Sequence, residues 1–391
     1  FGVLLGMPSS VIGNELAMRY GRIRVVVSIM CLSAVLAVVV GNSIGLSAPL
    51  LIALVLVYGC FVTGDSASIT TGAIESASEG NRGVTMAVHS SVGFIGSFLG
   101  PIGFGVVLSA FGGHNSSEAW FWAFSSTGFV LLIGPVLLFV SQKNAKLISD
   151  AIIYKDDDLI IINKPAGLPS QGGSKQSVHV DGLLDAIIFE KKERPRLVHR
   201  LDKGTTGLMV LGKTERSLTE LSEQFFERSV ERRYHALVWG DLREDGRIEG
   251  HVGRSRSNRT VQAVYVDGEE GKHAVTHYRV LERLGPVTLV ECKLETGRTH
   301  QIRVHMQHIG HPLFGDPRYG GNVAVKGSPG GKYNSFLRNC FSILPRQALH
   351  AKTLGFIHPG TKEFVSFESE IPSDMAEIIS KWKTYLEGIA R

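Results

Sequence analysis

One segment in the second half of the chain combines a carboxylate, two cationic side chains and small hydroxyl residues. It spans residues 197–213 and contains His199, Arg200 and Asp202 ahead of the apolar run Leu208–Leu211. The apolar run predicts a buried strand, and a carboxylate placed just before such a strand is held by a rigid scaffold, which suits a nucleophile or a base. A surface loop with an incidental Arg–Asp pair is the alternative, and this segment alone leaves both open.

Further segments of the same half carry residues that suit a binding site. Residues 151–162 predict a β-hairpin with an acidic turn, and the Pro and Gly of 163–167 predict a rigid loop after it. Residues 231–240 predict a strand that carries Tyr234. Two Arg and two His fall within eight residues of the segment 294–306. Two more segments follow, His308–Pro317 and Arg346–Ala351.

Taken in order, these segments resemble those that define the RluA-type family of ribosomal-RNA pseudouridine synthases. The resemblance spans about 152–389, and the HRLD segment at 199–202 together with GRTHQIR at 297–303 makes it specific. It implies an α/β (α+β) domain with a long mixed, largely antiparallel sheet and a basic cleft across its middle. It also implies a reaction that detaches uracil from C1′ of a uridine, rotates it and re-attaches it through C5, with no cofactor.

The resemblance also implies roles for individual residues. Asp202 matches the catalytic carboxylate, acting either as nucleophile at C1′ or as a base. Arg303 matches the arginine that pairs with this aspartate and orients it. Tyr234 matches the aromatic residue that stacks on the flipped base, with a hydroxyl available for proton transfer. Arg200 occupies a position suited to fill the gap that the extruded base leaves.

The charge balance of the second half agrees with a polyanionic partner. Residues 1–141 hold four of the 41 basic and five of the 36 acidic residues, which leaves 37 basic and 31 acidic residues for 142–391. A moderately basic domain fits RNA, although the surplus alone is weak support. For Arg254 and Arg256 a solvated hairpin loop is an equal alternative. The predicted RNA contacts are His199, Arg200, Arg298, His300, Gln301, Arg254 and Arg256.

Two features bear on metals and redox chemistry. The spacing of four histidines, His300, His305, His308 and His311, would allow a metal site. Only Asp316 lies nearby as a further ligand and no Cys does, so we predict core or RNA-facing histidines and no metal. Cys31, Cys60, Cys292 and Cys340 show no paired spacing, which favours reduced thiols in a cytosolic setting.

The first 140 residues have the composition of membrane-spanning helices. No charged side chain occurs between Val25 and Gly64, where breaks at 41–43 and at Pro49 indicate two spans. Further spans are predicted at about 84–111 and 119–140, each near the roughly 20 residues needed to cross roughly 30 Å of hydrocarbon. Residues 1–13 resemble the tail of another helix. Because the chain opens with Phe, we expect its N-terminus to be missing.

The loop before these spans predicts their orientation. Three arginines between residues 19 and 24 favour a cytoplasmic loop, and four crossings return the chain to the cytoplasm after Val140. Residues 13–24 resemble the short cytoplasmic loop motif of major facilitator superfamily transporters, with Met18 where that family has Asp. The glycine-rich stretch 82–105 resembles its eleventh span. About five of twelve helices cannot form the two-lobed cavity of such transporters, so we expect an inert membrane fragment.

The sequence therefore predicts three parts. Residues 1–140 form an all-α, incomplete transporter-like region in the lipid bilayer, 141–150 a linker, and 151–391 a cytoplasmic catalytic domain. We expect helices in the catalytic domain at about 177–190, 217–227, 300–309 and 374–386.

The predicted function is conversion of specific uridines to pseudouridine in structured RNA, with 23S-type large-subunit ribosomal RNA as the expected substrate and no obligate protein partner. The alternative is a membrane transporter fragment to which a synthase domain has been joined incidentally, by gene fusion or because a frameshift or an assembly error has joined two neighbouring genes.

Overall fold

The computed structural model describes residues 2–76, 82–173, 178–187, 194–266, 268, 270–325 and 330–389. The chain divides into two compact units, Phe1–Lys143 and Asn144–Arg391.

The described residues of the first unit form helices joined by short turns. Four stretches are long and apolar enough to cross a membrane, 22–42, 48–75, 82–110 and 117–150, and they coincide with the four predicted spans. The helices are α1 Gly2–Tyr20, α2 Arg22–Asn42, α3 Ala48–Gly64, α4 Ser66–Ser76, α5 Arg82–Ala110 and α6 Ser117–Asp150, which continues into the second unit.

The end of α6 differs from the predicted linker. Residues 141–150 continue the helix to Asp150. No Gly or Pro interrupts the chain after Pro135 in this helix, and Lys, Ala, Leu and Ile favour helix despite the polar composition. Ile148 is fully buried and belongs to the same core cluster as Ile160 of the catalytic sheet. Helix propensity and this buried contact explain why the segment is ordered.

The second unit is built on one eleven-stranded sheet, with the order β1-β2-β4-β10-β5-β9-β8-β6-β7, β3 beside β4 and β11 beside β10. Among the described strands only β4 and β10 pair in parallel. This confirms the expected long, mixed and largely antiparallel sheet. The strands are β1 Ile152–Lys155, β2 Leu159–Lys164, β3 Arg196–Leu197, β4 Thr206–Gly212, β5 Glu231–Trp239, β6 Gly246–Arg254, β7 Gln262–Tyr265, β8 Lys272–Leu284, β9 Val287–Leu294, β10 Leu349–Ile357 and β11 Phe364–Glu368.

Both faces of the central strands are buried. Along β2, Ile160 and Ile162 pack in one core cluster, whereas Leu159 and Ile161 pack in another. Successive side chains of a strand point to opposite faces, so an uninterrupted apolar run such as this one requires cover on both sides.

The helices of the second unit supply that cover. Those predicted at about 217–227, 300–309 and 374–386 correspond to α8, α9 and α11 within a few residues. The helix predicted at 177–190 is represented by α7 and a 3₁₀ turn, while residues 177 and 188–190 lie outside the described part. The helix α10 was missed. The elements are α7 Val180–Leu183, the 3₁₀ turn Leu184–Ile187, α8 Glu215–Glu227, α9 Gln301–His308, α10 Gly331–Ile343 and α11 Ser373–Ile389.

A close approach between β4 and β10 explains one glycine of the first motif. Gly207 has φ +109°, and a Cβ there would lie 2.3 Å from the backbone oxygen of Ala351. A side chain would therefore separate the two parallel strands. The HRLD segment leads directly into this junction, which fixes the end of its loop against the sheet.

Candidate active site

The loop that carries Asp202 lies between β3 and β4 and is tied down along its length. The Ser170 hydroxyl donates to the Leu201 carbonyl oxygen at 2.8 Å and accepts from the Leu201 N–H at 2.9 Å. On the other side of Asp202, Arg346 Nη1 donates to the Gly204 carbonyl oxygen at 3.0 Å. These bonds hold the backbone on both sides of the carboxylate, so its position is set before any substrate binds.

A buried lysine supports the same loop. Lys164, at the end of β2, is completely buried, and its Nζ donates to the carbonyl oxygens of Leu168 at 2.8 Å and Lys203 at 3.4 Å. Burial, helped by the charge of Arg346 and opposed by that of Asp202, lowers the pKa of Lys164 to about 7. Lys164 therefore joins the loop after β2 to the residue that follows Asp202.

Arg303 of α9 bridges two carboxylates. Its Nη1 donates to Asp202 Oδ2 at 3.0 Å, while Nε and Nη2 donate to the two oxygens of Asp316 at 2.7 and 2.9 Å. Burial opposes the charge of the guanidinium, but the hydrogen bonds and charge of Asp316, together with Asp202, raise the pKa of Arg303. Because Asp316 fixes the guanidinium from behind, Arg303 presents one N–H to Asp202 in a set direction.

His300 faces Asp202 from a second side. Its Nε2 lies 3.7 Å from Asp202 Oδ2, and its Nδ1 lies 2.9 Å from the Tyr319 hydroxyl. That hydroxyl already accepts the Gln262 N–H at 2.9 Å, so its own proton is available for Nδ1. Burial lowers the pKa of His300. We therefore assign a neutral ring with its proton on Nε2, directed towards Asp202.

Tyr234 completes the group on the same side of the sheet. It belongs to β5 and is almost fully buried. Burial, opposed by the charge of Arg232 and helped by that of Asp202, raises the pKa of its hydroxyl. Two cavities of about 790 and 730 Å³ meet here, because both are lined by Arg200, Leu201, Asp202, His300 and Arg303, and Tyr234 lines the larger one. The structure thus brings the three predicted catalytic residues to one basic cleft. The arrangement suits nucleophilic or general-base chemistry by a carboxylate beside an aromatic wall.

Comparisons with known proteins agree with this geometry. Residues 158–308 match the model of the RNA pseudouridylate synthase family. An uncharacterized RNA pseudouridine synthase of Chlorobaculum parvum is 44% identical over 246 residues, which cover 60% of this chain and 75% of that protein. The chain belongs to the RNA pseudouridine synthases. Ribosomal large subunit pseudouridine synthase D of Pseudomonas aeruginosa is 44% identical over 238 residues, which cover 59% of this chain and 70% of that protein.

One solved structure is similar to the second unit, and a second family model matches the first unit. The human RNA pseudouridylate synthase domain containing 4 matches with a TM-score of 0.51 and 25% identity, covering 63% of this chain and 97% of that one. Residues 2–153 match the model of the Major Facilitator Superfamily. Both resemblances seen in the sequence are confirmed.

Two of the predicted RNA contacts of the synthase have their polar atoms engaged inside the protein. His199 Nε2 accepts the Val210 N–H at 3.1 Å, and its ring stacks on Phe225 with centroids 4.5 Å apart. Burial lowers the pKa of His199 to about 3, so the ring is neutral. The amide of Gln301 is also used at both ends, since its Oε1 accepts the Arg298 N–H at 2.9 Å and its Nε2 donates to a β8 carbonyl oxygen. His199 and Gln301 thus use these polar atoms for hydrogen bonds within the protein that position neighbouring segments of the site.

Of the other residues predicted to contact RNA, two arginines line the larger cavity and two lie outside both cavities. Arg200 and Arg298 line the larger cavity. Arg254 ends β6, and Arg256 lies just beyond it in an ion pair with Glu270 at 2.9 Å. Neither Arg254 nor Arg256 lines the two cavities.

The histidines weighed as metal ligands do not converge. His305 is fully buried and its Nδ1 lies 2.9 Å from the Thr276 hydroxyl, and burial lowers the pKa of His305 to about 4. Within the described ranges, no group of three His, Cys, Asp or Glu side chains is placed to hold a metal ion.

Sequence reasoning assigned no supporting role to five residues that hold the synthase site, although three of them lie in the segments that carry the family resemblance. They are Lys164, Ser170, Asp316, Tyr319 and Arg346. A signal was present for two of them. Lys164 and Asp316 each precede a proline in a loop next to a strand or a turn, where a charged side chain has a fixed backbone to project from.

Proposed function

We propose that this synthase converts specific uridines of large-subunit ribosomal RNA to pseudouridine, with Asp202 as the essential carboxylate and without a cofactor. The observation that carries the proposal is the hydrogen bond between Asp202 and Arg303 in a cleft that Tyr234 also lines. Relatives named ribosomal large subunit pseudouridine synthase D support the substrate class, including that of Zymomonas mobilis, 42% identical over 233 residues that cover 57% of this chain and 70% of that protein.

The reaction is an isomerisation, so it needs no co-reactant. The N1–C1′ bond breaks, the uracil rotates, and a C5–C1′ bond forms; C5 loses a proton and N1 gains one. Asp202 acts as nucleophile at C1′ or as base, oriented by the Arg303 guanidinium. Tyr234 stacks on the extruded uracil, and Arg200, which is exposed at the junction of both cavities, fills the space left in the RNA.

We further propose that the first unit lies in a lipid bilayer, with the catalytic unit on the cytoplasmic side. The four long apolar helices and the match to the Major Facilitator Superfamily support the membrane location. The arginines at 19–24 support the orientation. Membranes from expressing cells should retain the chain after alkaline washing and release it in detergent. Release by washing alone would contradict the proposal.

Asp202→Asn tests the chemistry. The full chain in detergent is incubated with unmodified transcripts of large-subunit and small-subunit ribosomal RNA, and pseudouridine is located by carbodiimide adducts that stop reverse transcription. The parent should modify the large-subunit transcript, and Asp202→Asn should form no product. The variant should still bind RNA within about twofold of the parent, because asparagine has nearly the same size and shape as aspartate.

Two outcomes would count against the proposal. Product formation by Asp202→Asn at the parental rate would remove the carboxylate from the mechanism. Modification of the small-subunit transcript alone would leave the enzyme class intact but contradict the proposed substrate.

A further inference from the structure

Besides Arg200, the larger cavity is bordered by three arginines that make no ion pair with a carboxylate in the described part of the chain. They are Arg228, Arg232 and Arg298, and they lie on the wall that also holds Phe225 and Phe226. Arg303, by contrast, is bonded to two aspartates. The mechanism above uses none of these three unpaired cations as a group that contacts the reacting atoms.

Arg232 is the most constrained of the three. It is 8% exposed, and no described residue accepts a hydrogen bond from its Nε. Its guanidinium carbon lies 5.5 Å over the Phe225 ring, and a Cβ on Gly297 would meet its Nη1 at 3.0 Å. A buried cation without a counter-charge is unfavourable, so an anion bound in the cavity would complete its surroundings.

Arg298 and Arg228 point to the same conclusion. Arg298 Nε donates to the His273 carbonyl oxygen at 3.0 Å, and Arg298 lines the larger cavity directly after Gly297. Burial and then the charge of Arg228 lower the pKa of Arg298. Among the described residues, Asp202 and Glu227 line the same cavity but make no ion pair with Arg228 or Arg298. A bridging anion such as a phosphate would stabilise these two like charges.

An exposed aromatic ring lies next to these arginines. Phe226, in the last turn of α8, is 87% exposed although its neighbour Phe225 is packed against His199. A phenylalanine ring this exposed lacks the burial that normally stabilises it. Beside a cationic cavity, the partner that matches both features is a nucleotide, whose base stacks on aromatic rings and whose phosphate pairs with arginine.

We infer that Phe226, Arg228, Arg232 and Arg298 form a binding site for one single-stranded nucleotide of the RNA that flanks the target uridine. The arginines bind its phosphodiester and Phe226 stacks on its base. This site rests on the proposed function, since it takes the same RNA as the Asp202 cleft. An acidic protein segment could pair with the arginines, but its carboxylates could not stack on the Phe226 ring as a base does.

The first test separates binding from chemistry. Phe226→Ala, on an exposed position that tolerates truncation, should raise KM for the large-subunit transcript by about 5- to 100-fold, as the loss of one base stack does. The rate at saturating RNA should stay within about twofold of the parent, because Phe226 does not touch Asp202. Phe226→Trp should keep KM near the parental value. The matched control is Phe364→Ala, a half-exposed phenylalanine of β11 outside the cavity, which should leave KM unchanged.

The second test addresses the arginines. Arg228→Ala should reduce the slope of log affinity against log salt by about one unit, as expected for one lost phosphate contact. Arg338→Ala, on the exposed side of α10, should leave that slope unchanged. Arg232→Lys keeps the charge and should recover most of the affinity lost in Arg232→Gln.

A direct binding signal keeps the inference independent of turnover. In Phe226→Trp, the added indole fluorescence, measured against the parent, should be quenched when the large-subunit transcript binds. If the parent makes pseudouridine but Phe226→Ala leaves KM unchanged and the indole is not quenched, the nucleotide site is overturned while the proposed function stands. If the parent makes none, the proposed function fails, and the indole signal alone decides whether Phe226 meets RNA.

Discussion

The two units of the chain place their apolar side chains in opposite ways. In the first unit, Phe94, Phe98 and Phe129 are 76%, 71% and 72% exposed. In the second, Trp239 and Trp382 are completely buried and pack edge-to-face with centroids 6.1 Å apart. The first unit thus presents these apolar rings to its surroundings, whereas the second encloses its two tryptophans.

The two units also differ in how polar groups find partners. In the first, the hydroxyls of Ser33, Thr63 and Ser97 donate to carbonyl oxygens four residues earlier in the same helix, at 2.8 to 2.9 Å. In the second, Arg303 and Asp316 are buried and pair across thirteen residues of sequence. The first unit also has bonds between helices, such as that of the Ala67 N–H to the Ser10 hydroxyl at 3.0 Å. Among the described residues, what distinguishes the second unit is an ion pair in which both partners are buried.

The largest expected effect is a difference in solubility between the two units when they are expressed separately. Residues 142–391 expressed alone should be soluble and form pseudouridine at about the full-chain rate, because the fragment retains Ile148 and the whole sheet core. Residues 1–141 alone should require detergent. Sedimentation and turnover measure both. Insolubility of 142–391, or activity only with residues 1–141 attached, would break the comparison between the units.

A large effect on stability and turnover is expected when the buried ion pair between Arg303 and Asp316 is removed. Arg303→Ala leaves Asp316 fully buried without its cation, which should lower the free energy of unfolding of 142–391 by about 3–5 kcal/mol. It should also slow single turnover at saturating RNA, since Asp202 loses its orienting N–H. Urea titration and rapid-quench assays measure the two effects, with the exposed Arg338→Ala as control. Single turnover at the parental rate would reduce Arg303 to a structural residue.

A moderate effect should follow from the buried lysine. The pKa of Lys164 is about 7 in the folded protein and higher in the unfolded chain, so the unfolded chain binds more protons between these values. The free energy of unfolding should therefore rise with pH above about 7, by on the order of 1 kcal/mol per pH unit. Lys164→Met should remove this rise, whereas the exposed Lys332→Met should keep it. A parental pH profile in Lys164→Met would show that another group titrates.

The smallest effect on stability is expected at Arg256, on the exposed loop after β6. Arg256 pairs with Glu270 at the surface and faces the Tyr265 ring at 5.6 Å. Arg256→Ala should change the free energy of unfolding by less than about 0.5 kcal/mol. If Arg256 binds a phosphate, the salt slope of RNA affinity should fall by about one unit, with no change in single-turnover rate. An unchanged slope would favour the solvated loop.

The residues that we propose as catalytic could be singled out from the sequence because they sit in short local motifs. Asp202, Tyr234 and Arg303 each belong to a segment whose residue types and order identify the family, and the apolar run after Asp202 correctly predicts β4. The membrane-type helices were predictable for a related reason, since length and apolar composition are read directly from the chain.

Other features depended on contacts between distant segments. The direction of His199 follows from an open N–H on β4, and the proton position on His300 follows from a hydrogen bond that Tyr319 receives from β7. The helical end of α6 likewise follows from the burial of Ile148 against the sheet. The sequence by itself determined the family, the side chains that we propose for the chemistry and the stretches that are apolar. The tertiary structure alone decided which polar atoms are bonded inside the protein and which arginines of the cavity lack a carboxylate partner among the described residues. The reason is that hydrogen bonds and burial depend on residues that the sheet brings together from far apart in the chain.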